Sequence, residues 1–267
     1  MAIIEKYNTN IVLVGGCALN VLYNQKLSER LKRSNLQVFI PSNPNDCGLS
    51  YGMFLSKFPE IGRNNEICYN GIEILDEDDY NFYLKNYLSE EMTVAKIVNY
   101  LKQGKILAII NDYSEVGPRS LGNRSIICDP SFPEMKDILN SKVKFREWFR
   151  PFAPVVLEEE AHNWFEPGDP SKYMLFTQKV LQPEKIPAVT HVDGTARIQT
   201  INEEDNAPYY KLIKEFFKIT GVPALINTSF NANGKPIVHK RQSAINTFYS
   251  NRAIDILVID GKIITKP

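Results

Sequence analysis

Arginine, lysine and aromatic side chains that suit a phosphate-bearing ligand are concentrated in two segments of the chain. Gly117–Ser125 places two guanidinium groups in a loop interrupted by glycine and proline, and Lys144–Pro154 adds further cations among aromatic residues. Guanidinium groups form bidentate hydrogen bonds with phosphate and carboxylate oxygens, so both segments indicate an anion site. The alternatives are a solvated basic surface and a nucleic-acid patch on which Trp148 and Phe149 would stack with bases.

Two later segments supply more polar groups. His191–Gln199 predicts a turn followed by a strand on which Arg197 and Gln199 share one face. Ile226–Gly234 follows an apolar strand with clustered amide and hydroxyl groups, which suit a nucleotide or a small polar acyl group. A surface strand and a tight Asn-Gly turn would explain the same two patterns without a ligand.

The N-terminal part of the chain holds weaker candidates. Gly15 and Gly16 stand between a predicted strand and a predicted helix, where free N–H groups and the helix dipole attract phosphate. A packing turn is the simpler interpretation of these glycines, and Asn20 would either contact a ligand or cap a loop. Asp46 precedes another predicted helix, so it is either an N-cap residue or a carboxylate available to a metal.

Alternating strand and helix patterns must position these residues. The first 62 residues predict strands at 10–14 and 36–40 and helices at 18–31 and 49–55, too few elements for a complete sheet. The segment from about 57 to 91, rich in glycine, asparagine and acidic residues, predicts a linker. Beyond it, the patterns predict helices at 93–103, 209–220 and 242–250 and strands at 105–111, 153–157, 196–201, 223–227 and 256–264, with a hairpin turn at Asp260-Gly261.

Composition excludes several classes of protein. The 267 residues carry 31 Lys plus Arg and 31 Asp plus Glu, so no net field attracts DNA or an anionic membrane, and a polyanion site must be local. No apolar run approaches the roughly 20 residues that cross a bilayer, and we expect no secretory signal. The four cysteines are widely spaced, which argues against a zinc site and a disulfide framework. We therefore expect a cytoplasmic protein.

Six motifs, taken together and in order, resemble the O-carbamoyltransferase family of nodulation protein U and antibiotic-tailoring enzymes. The motifs are Gly15–Asn20, Asn45–Gly48, Gly117–Ser125, Lys144–Pro154, His191–Arg197 and Asn227–Asn231. The resemblance extends from about Ile11 to Val258. It covers the C-terminal part of the family's architecture, so we expect the family's N-terminal lobe to be absent from these 267 residues.

The resemblance implies an α/β protein of two units. Residues 1–62 would be the C-terminal remnant of an actin-like ATPase-fold transferase domain, 63–90 a linker, and 91–267 a YrdC-like domain with a twisted mixed sheet. In the family, the YrdC-like domain makes carbamoyl adenylate from ATP and carbamoyl phosphate. The actin-like domain then moves the carbamoyl group to a hydroxyl of a small-molecule acceptor such as a sugar or an antibiotic.

The resemblance also implies roles for single residues. Catalytic groups that neutralise phosphate charge would be Arg119, Arg124, Lys144, Arg146, Arg150 and Arg197. His191, also a catalytic group, would bind phosphate or shuttle a proton. Groups that hold ATP or carbamoyl phosphate together with Mg²⁺ would be Gly15, Gly16, Asn20, Ser125, Asn227, Ser229 and Asn231. Asp46 would ligate an Fe²⁺-type metal, although the family's two metal-ligating histidines belong to the absent lobe.

The sequence departs from the family pattern at two further places. Asp112-Tyr113 stands where the family usually has Gly-Arg, and Lys235 stands where it typically has Glu. The first hypothesis is a carbamoyltransferase C-terminal half that forms carbamoyl adenylate and completes transfer only with a separate N-terminal lobe, or as a fragment of a longer chain. The second is a catalytically degenerate YrdC-like ATP- or RNA-binding module. A third, a YrdC-like partner in tRNA threonylcarbamoylation, is disfavoured by the motif spacing around residues 117–154. Exposed strand edges in residues 1–62 predict a partner chain or a homodimer.

Overall fold

The computed structural model describes residues 8–60, 67–71, 73–74 and 88–266. In these ranges, a mixed eight-stranded sheet is flanked by a three-stranded antiparallel sheet and a two-stranded parallel sheet. Helices pack against the large sheet. The α/β class with a mixed sheet, predicted from the sequence, is confirmed.

The elements have the following bounds. The helices are α1 (Val21–Lys32), α2 (Leu49–Lys57), α3 (Val94–Lys102), α4 (Met135–Ile138), α5 (Ala161–Trp164), α6 (Ala207–Thr220) and α7 (Arg241–Ser250). The small sheets contain β1 (Ile11–Val12) and β2 (Val38–Phe39), and β7 (Phe165–Glu166), β8 (Thr177–Val180) and β9 (Thr195–Arg197). The large sheet contains β3 (Leu88–Glu91), β4 (Leu107–Ile110), β5 (Arg124–Cys128), β6 (Ala153–Leu157), β10 (Gln199–Ile201), β11 (Ala224–Ser229), β12 (Ile256–Ile259) and β13 (Lys262–Thr265). Its strand order is β10-β6-β11-β5-β4-β12-β13-β3.

Local signals fix the ends of the two helices that pack against each other beside the sheet, α3 and α6. The Thr93 hydroxyl accepts a hydrogen bond from the Lys96 amide at the start of α3. Asn206 caps α6 in the same way, through the Tyr209 amide. Gly221 ends α6 with φ 74°, a left-handed conformation that glycine adopts without strain.

The core lies around the central strands. β4, β5, β6 and β12 are buried along their whole length, and this explains their nearly continuous apolar sequences. The hairpin predicted at Asp260-Gly261 is confirmed, with positive φ at both turn residues. Four of the five strand positions predicted beyond the linker coincide with strands of the large sheet: 105–111, 153–157, 223–227 and 256–264.

Two strand predictions differ from the structure. β5 was not predicted, because its first residues, Arg124 and Ser125, look like a continuation of the polar loop. Arg124 is nevertheless fully buried, since its guanidinium donates to the carbonyls of Asn111, Asp112 and Asn123. The single strand predicted at 196–201 is two strands, β9 and β10, which join different sheets.

The N-terminal segment packs against the rest of the chain through a small apolar cluster. Ala18, Ile40 and Leu175 form its buried centre. The buried Asn24 amide donates to the carbonyls of Ala18 at 2.8 Å and Leu175 at 2.9 Å. The helix predicted at 18–31 is in fact a 3-10 turn followed by α1, because Asn20 caps a new helix.

Part of the predicted linker belongs to the fold. β3 pairs with β13, so the large sheet begins at Leu88 instead of 91. The Gly71 amide donates to the Ser114 carbonyl, and the Val116 amide donates to the Cys68 carbonyl. The acidic run at 76–79 lies outside the described residues.

Two further findings concern helix hydrophobicity and the state of the cysteines. No helix in the described ranges combines the length and apolar character that crossing a membrane requires. The four cysteines are free thiols; Cys17 and Cys47 are exposed, whereas Cys68 and Cys128 are buried.

Candidate active site

One edge of the eight-stranded sheet collects the polar segments that the sequence singled out. β4 and β11 end at this edge, whereas β5, β6 and β10 begin there. The reason is that β4 is antiparallel to β5, β11 is antiparallel to both β5 and β6, and β10 is parallel to β6. The loops around these strand ends therefore lie close together. They contain residues 111–123, 144–152 and 230–240.

A small cavity of about 110 Å³ lies at this edge. Its walls are formed by Pro118, Arg119, Ser120, Arg146, Pro151, Phe152, Ala153, Met174, Arg197, Asn227, Thr228 and Ser229. A larger and more open depression of about 510 Å³ lies between α1 and β8, but its three cations, Lys32, Arg33 and Lys179, lie among Glu29 and Glu166. Two of these cations form ion pairs, Lys32 with Asp169 and Lys179 with Glu166. We place the site in the smaller cavity because its positive charge is uncompensated.

Three guanidinium groups converge on the small cavity. Arg119, Arg146 and Arg197 line it, and no carboxylate of the described residues does. Nε of Arg119 and Nε of Arg197 are buried without a hydrogen-bond partner among the described residues. Burial, followed by repulsion from Arg119 and Arg146, lowers the pKa of Arg197 to about 9. A bound anion would relieve both effects, so the cavity is built to receive one.

The Arg146 side chain is held in place on two sides. Its Nε donates to Asn140 Oδ1 at 2.7 Å, and its guanidinium carbon lies 4.5 Å from the centre of the Phe152 ring. The Asn140 amide nitrogen in turn donates to the carbonyls of Trp148 at 3.2 Å and Arg150 at 2.9 Å. Asn140 therefore fixes the whole loop that carries Arg146.

Lys144 approaches the cavity from behind, through Ser229. Its ammonium group donates to the Ser229 carbonyl, to Ser229 Oγ at 3.2 Å and to Asn231 Oδ1 at 2.9 Å. Ser229 Oγ also lies 2.7 Å from Asn231 Oδ1. Burial, with a smaller contribution from Arg146, lowers the pKa of Lys144 to about 7. The structure thus unites three of the predicted site residues.

A neutral group of side chains forms another wall of the cavity. The Asn227 amide nitrogen donates to Gln199 Oε1 at 2.6 Å and to the Ser120 carbonyl at 3.0 Å. The Gln199 amide nitrogen donates to the Leu121 carbonyl at 3.3 Å. Asn227 Oδ1 and Ser120 Oγ are buried without a partner among the described residues. These two oxygens are available to a ligand.

Three other predicted site residues lie off the cavity wall and make structural contacts. Arg124 holds backbone carbonyls inside the sheet, and Ser125 Oγ accepts the Gly122 amide at 3.0 Å. Arg150 is exposed and forms an ion pair with Glu147 at 2.8 Å. The structure does not bring these three side chains together with Arg119 and its neighbours.

His191 lies beside the site without lining it. Its ring Nδ1 is 3.3 Å from Thr195 Oγ1, and its amide donates to the Thr195 carbonyl. Burial is the main cause of its lowered pKa, and the neighbouring Arg197 and Lys136 add to the effect. The ring is accordingly neutral near pH 7.

Some residues that shape the site were absent from the predicted set. Glu115 Oε1 accepts the amides of Leu121 at 2.5 Å and Asn123 at 2.8 Å and thereby folds the arginine loop. Asn140 belongs to a π-helical turn, Leu139–Val143, a conformation that often occurs at functional sites. Neither role has a signal in a single sequence, because the contacts depend on the folded loop.

The predicted N-terminal site residues do not join the cavity. Gly15 and Gly16 are exposed, and Asn20 Oδ1 caps α1 by accepting the Tyr23 amide at 3.1 Å. Asp46 is exposed at the start of a 3-10 turn. In the part of the chain that the structure describes, no group of three His, Cys, Asp or Glu residues could hold a metal ion. The described residues alone therefore do not fit an iron site.

The N-terminal segment nevertheless touches the arginine loop. Gly117 has φ 126° and packs so closely against Asn43 that a Cβ atom there would lie 2.0 Å from Asn43 Oδ1. Asn43 belongs to the loop that precedes Asp46. A side chain at position 117 would push these two segments apart.

The fold and the cavity define an α/β protein with a cationic site for a small anion, and sequence comparison specifies the family. The family described as "Carbamoyltransferase C-terminus" matches residues 98–266. This chain therefore belongs to the carbamoyltransferase family.

Several full-length relatives are about one-third identical to the chain. Nodulation protein U of Sinorhizobium fredii is 35% identical, over 85% of this chain and 40% of its own length. Nodulation protein NolO of Bradyrhizobium diazoefficiens is 35% identical, over 97% of this chain and 50% of its own length. An uncharacterized protein of Methanocaldococcus jannaschii is 35% identical, over 98% of this chain and 45% of its own length. The chain thus spans about half the length of these relatives.

Solved structures of HypF are more distant. Full-length HypF in a phosphate- and nucleotide-bound form aligns with 62% of this chain and 21% of its own, with 17% identity and a TM-score of 0.43. HypF of T. kodakarensis aligns with 64% and 23%, with 21% identity and the same score. At this level of similarity they carry no functional conclusion.

Proposed function

We propose that this chain is the adenylate-forming portion of an O-carbamoyltransferase, which uses ATP and carbamoyl phosphate. The observation that carries the proposal is the convergence of Arg119, Arg146 and Arg197 on one small cavity without a carboxylate. Three fixed cations in a cavity of this size suit phosphate groups, whose negative charge grows and moves during phosphoryl transfer. Membership of the carbamoyltransferase family favours this enzyme over a degenerate binding module.

The proposed reaction has three balanced steps. Water releases carbamate and inorganic phosphate from carbamoyl phosphate. A carbamate oxygen attacks the α-phosphorus of ATP, the bond from that phosphorus to the bridging oxygen of the β-phosphate breaks, and pyrophosphate leaves. The acceptor hydroxyl then attacks the carbonyl carbon of carbamoyl adenylate, releases AMP and loses its proton to a base.

The cavity residues divide these tasks. Arg119 and Arg197, whose Nε groups lack partners among the residues that the structure describes, would donate to phosphate oxygens, and Arg146 would add charge from its fixed position. Ser229 would hold the same phosphate from the other side, and Lys144 and Asn231 would support Ser229 from behind. Mg²⁺ would be bound through the phosphates, since the described part of the chain places no carboxylate in the cavity wall.

The second part of the proposal concerns transfer. Residues 1–62 would close an actin-like ATPase-fold transferase domain, with the YrdC-like domain following from 91. The N-terminal lobe, on a longer chain, a separate chain or a second copy, would supply the remaining ligands for iron beside Asp46 and bind the hydroxyl-bearing acceptor. Gly15, Gly16 and Asn20 would face the adenylate at that interface.

Pyrophosphate release tests the proposal. We expect the purified chain, given ATP and Mg²⁺, to release pyrophosphate only when carbamoyl phosphate is added. Arg197→Ala should lower that rate about a hundredfold or more, because a buried donor to developing phosphate charge is lost. Arg150→Ala is the matched control, and its rate should stay within a few-fold of the wild type because Arg150 is exposed and paired with Glu147.

Two results would count against the proposal. Equal losses in Arg197→Ala and Arg150→Ala would mean that the cavity is not the site of the reaction. No pyrophosphate release by the chain, either alone or with the N-terminal half of a relative added, would contradict an adenylating role.

A further inference from the structure

The neutral wall of the cavity has no evident function in binding phosphate. Asn227 is 1% exposed and Ser120 is 3% exposed, yet Asn227 Oδ1 and Ser120 Oγ have no hydrogen-bond partner among the described residues. Both residues line the cavity. Buried polar atoms almost always have a partner, so an unpaired pair that lines a cavity points to an occupant of the cavity.

The orientation of the Asn227 amide is fixed by its neighbours. Its nitrogen donates to two acceptors, Gln199 Oε1 and the Ser120 carbonyl. Gln199 cannot reverse without losing its own bond to the Leu121 carbonyl. If the Asn227 nitrogen and oxygen were exchanged, Oδ1 would face two other acceptors, Gln199 Oε1 and the Ser120 carbonyl. The observed orientation, with Oδ1 free of partners among the described residues, is therefore fixed.

Asn227 lies on β11 close to Ser229, one of the residues proposed to hold the phosphate. Asn227 and Ser229 are two residues apart on β11 and therefore share a face, on which Ala153 of the neighbouring strand also lines the cavity. A ligand held by Arg119 and Ser229 through its phosphate would extend its other end toward Asn227. That end meets an acceptor and a hydroxyl instead of a cation.

We propose that Asn227, oriented by Gln199 and assisted by Ser120, selects the amino group of the carbamoyl unit. The inference rests on the proposed function. An NH₂ group donates to Asn227 Oδ1, while the Ser120 hydroxyl donates to the carbamoyl oxygen. An acyl phosphate with a methyl group in place of NH₂ leaves Asn227 Oδ1 buried and unpaired, and sites of this kind reject such analogues strongly.

Direct binding measurements test the proposal without requiring turnover. Titration calorimetry of the whole chain would compare carbamoyl phosphate, acetyl phosphate and inorganic phosphate. We expect the wild type to bind carbamoyl phosphate about tenfold or more tightly than acetyl phosphate. Asn227→Leu should remove most of that preference and leave the affinity for inorganic phosphate within a few-fold. Ser120→Ala should weaken both acyl phosphates alike.

Asn24→Leu is the matched control. Asn24 is also fully buried, its amide nitrogen donates to two carbonyls, and its Oδ1 has no partner among the described residues, but it belongs to α1 and contacts Leu175 away from the cavity. Its substitution should leave the ligand preference intact. A preference that survives in Asn227→Leu would overturn the inference, and if that variant does not fold, equal wild-type affinities for the two acyl phosphates would do so. Wild-type protein that binds none of the three ligands would instead contradict the proposed function, and the inference would fall with it.

Discussion

At the scale of single residues, the ammonium group of Lys144 links the site to pH. Its pKa is about 7 in the folded protein and 10.5 for an ordinary lysine, so the unfolded chain carries a proton that the folded protein releases above about pH 7. The free energy of unfolding should therefore rise with pH between about 7 and 10.5, by at most ~1.4 kcal/mol per pH unit. This contribution is lost as the pH falls through about 7.

Urea unfolding of the wild type and Lys144→Met measures the effect. We expect the midpoint of the wild type to increase relative to that of the variant between about pH 7 and pH 9. Above this window the lowered pKa of Arg197 adds a contribution of the same sign. Parallel curves for the two proteins across the window would show that Lys144 is not the titrating group.

Residue types predicted the cavity better than residue positions did. Arg119, Arg146 and Arg197 were predicted and do converge, because guanidinium groups among glycine, proline and aromatic residues mark a fixed anion site. Arg124 follows Arg119 by five residues in the same motif, but a strand begins there and turns its side chain inward. The two arginines differ only in the backbone conformation at their positions, which directs Arg119 into the cavity and Arg124 into the core. The motif alone does not predict that conformation.

At the scale of elements, the π-helical turn governs the loop at 144–152. Asn140→Ala should release Arg146 and both loop carbonyls, because one side chain makes all three hydrogen bonds. We expect roughly tenfold weaker binding of inorganic phosphate and a loss of about 1–3 kcal/mol in stability. Hydrogen exchange of residues 145–150 should accelerate in the same variant.

Asn163→Ala serves as the comparison for this loop. Its side chain lies outside the site and bonds to Glu160 at 3.0 Å on the surface. Phosphate affinity and exchange in the loop should not change in this variant. Unchanged exchange in Asn140→Ala would mean that the loop is held by other contacts.

The elements themselves were predictable to different degrees. α3, α6 and β6 carry caps, amphipathic spacing or an isolated apolar run, and their predicted positions match the structure closely. The division at Ile198 between β9 and β10 has no comparable signal. Two sheets compete there for one extended segment, and tertiary packing decides the outcome.

At the scale of the whole molecule, the N-terminal segment exposes an unusual number of apolar side chains. Those more than 60% exposed in residues 8–60 are Val12, Val14, Phe39, Leu49 and Met53. Beside them, β1 and β2 form a sheet of only two strands in the described ranges. Free strand edges next to apolar side chains favour association, so we expect the purified chain to bind a second copy or a partner.

Light scattering after size-exclusion chromatography measures this association. Phe39→Glu should shift the chain toward monomer, because a charge on the apolar face must be desolvated in a contact. Val192→Glu, at a residue 99% exposed in a distant turn, should not. A stable wild-type monomer at micromolar concentration would contradict the expectation, which the sequence already indicated from the shortage of strands before residue 62.

The positions of the two tryptophans give this protein a built-in optical probe. Trp148 is 71% exposed on the loop that Asn140 holds, whereas Trp164, the last residue of α5, is 4% exposed in the main hydrophobic core. A collisional quencher such as acrylamide will therefore extinguish the emission of Trp148 first and leave Trp164 as an internal reference. Movement of the loop on ligand binding can be followed by fluorescence in the native chain, without an attached dye.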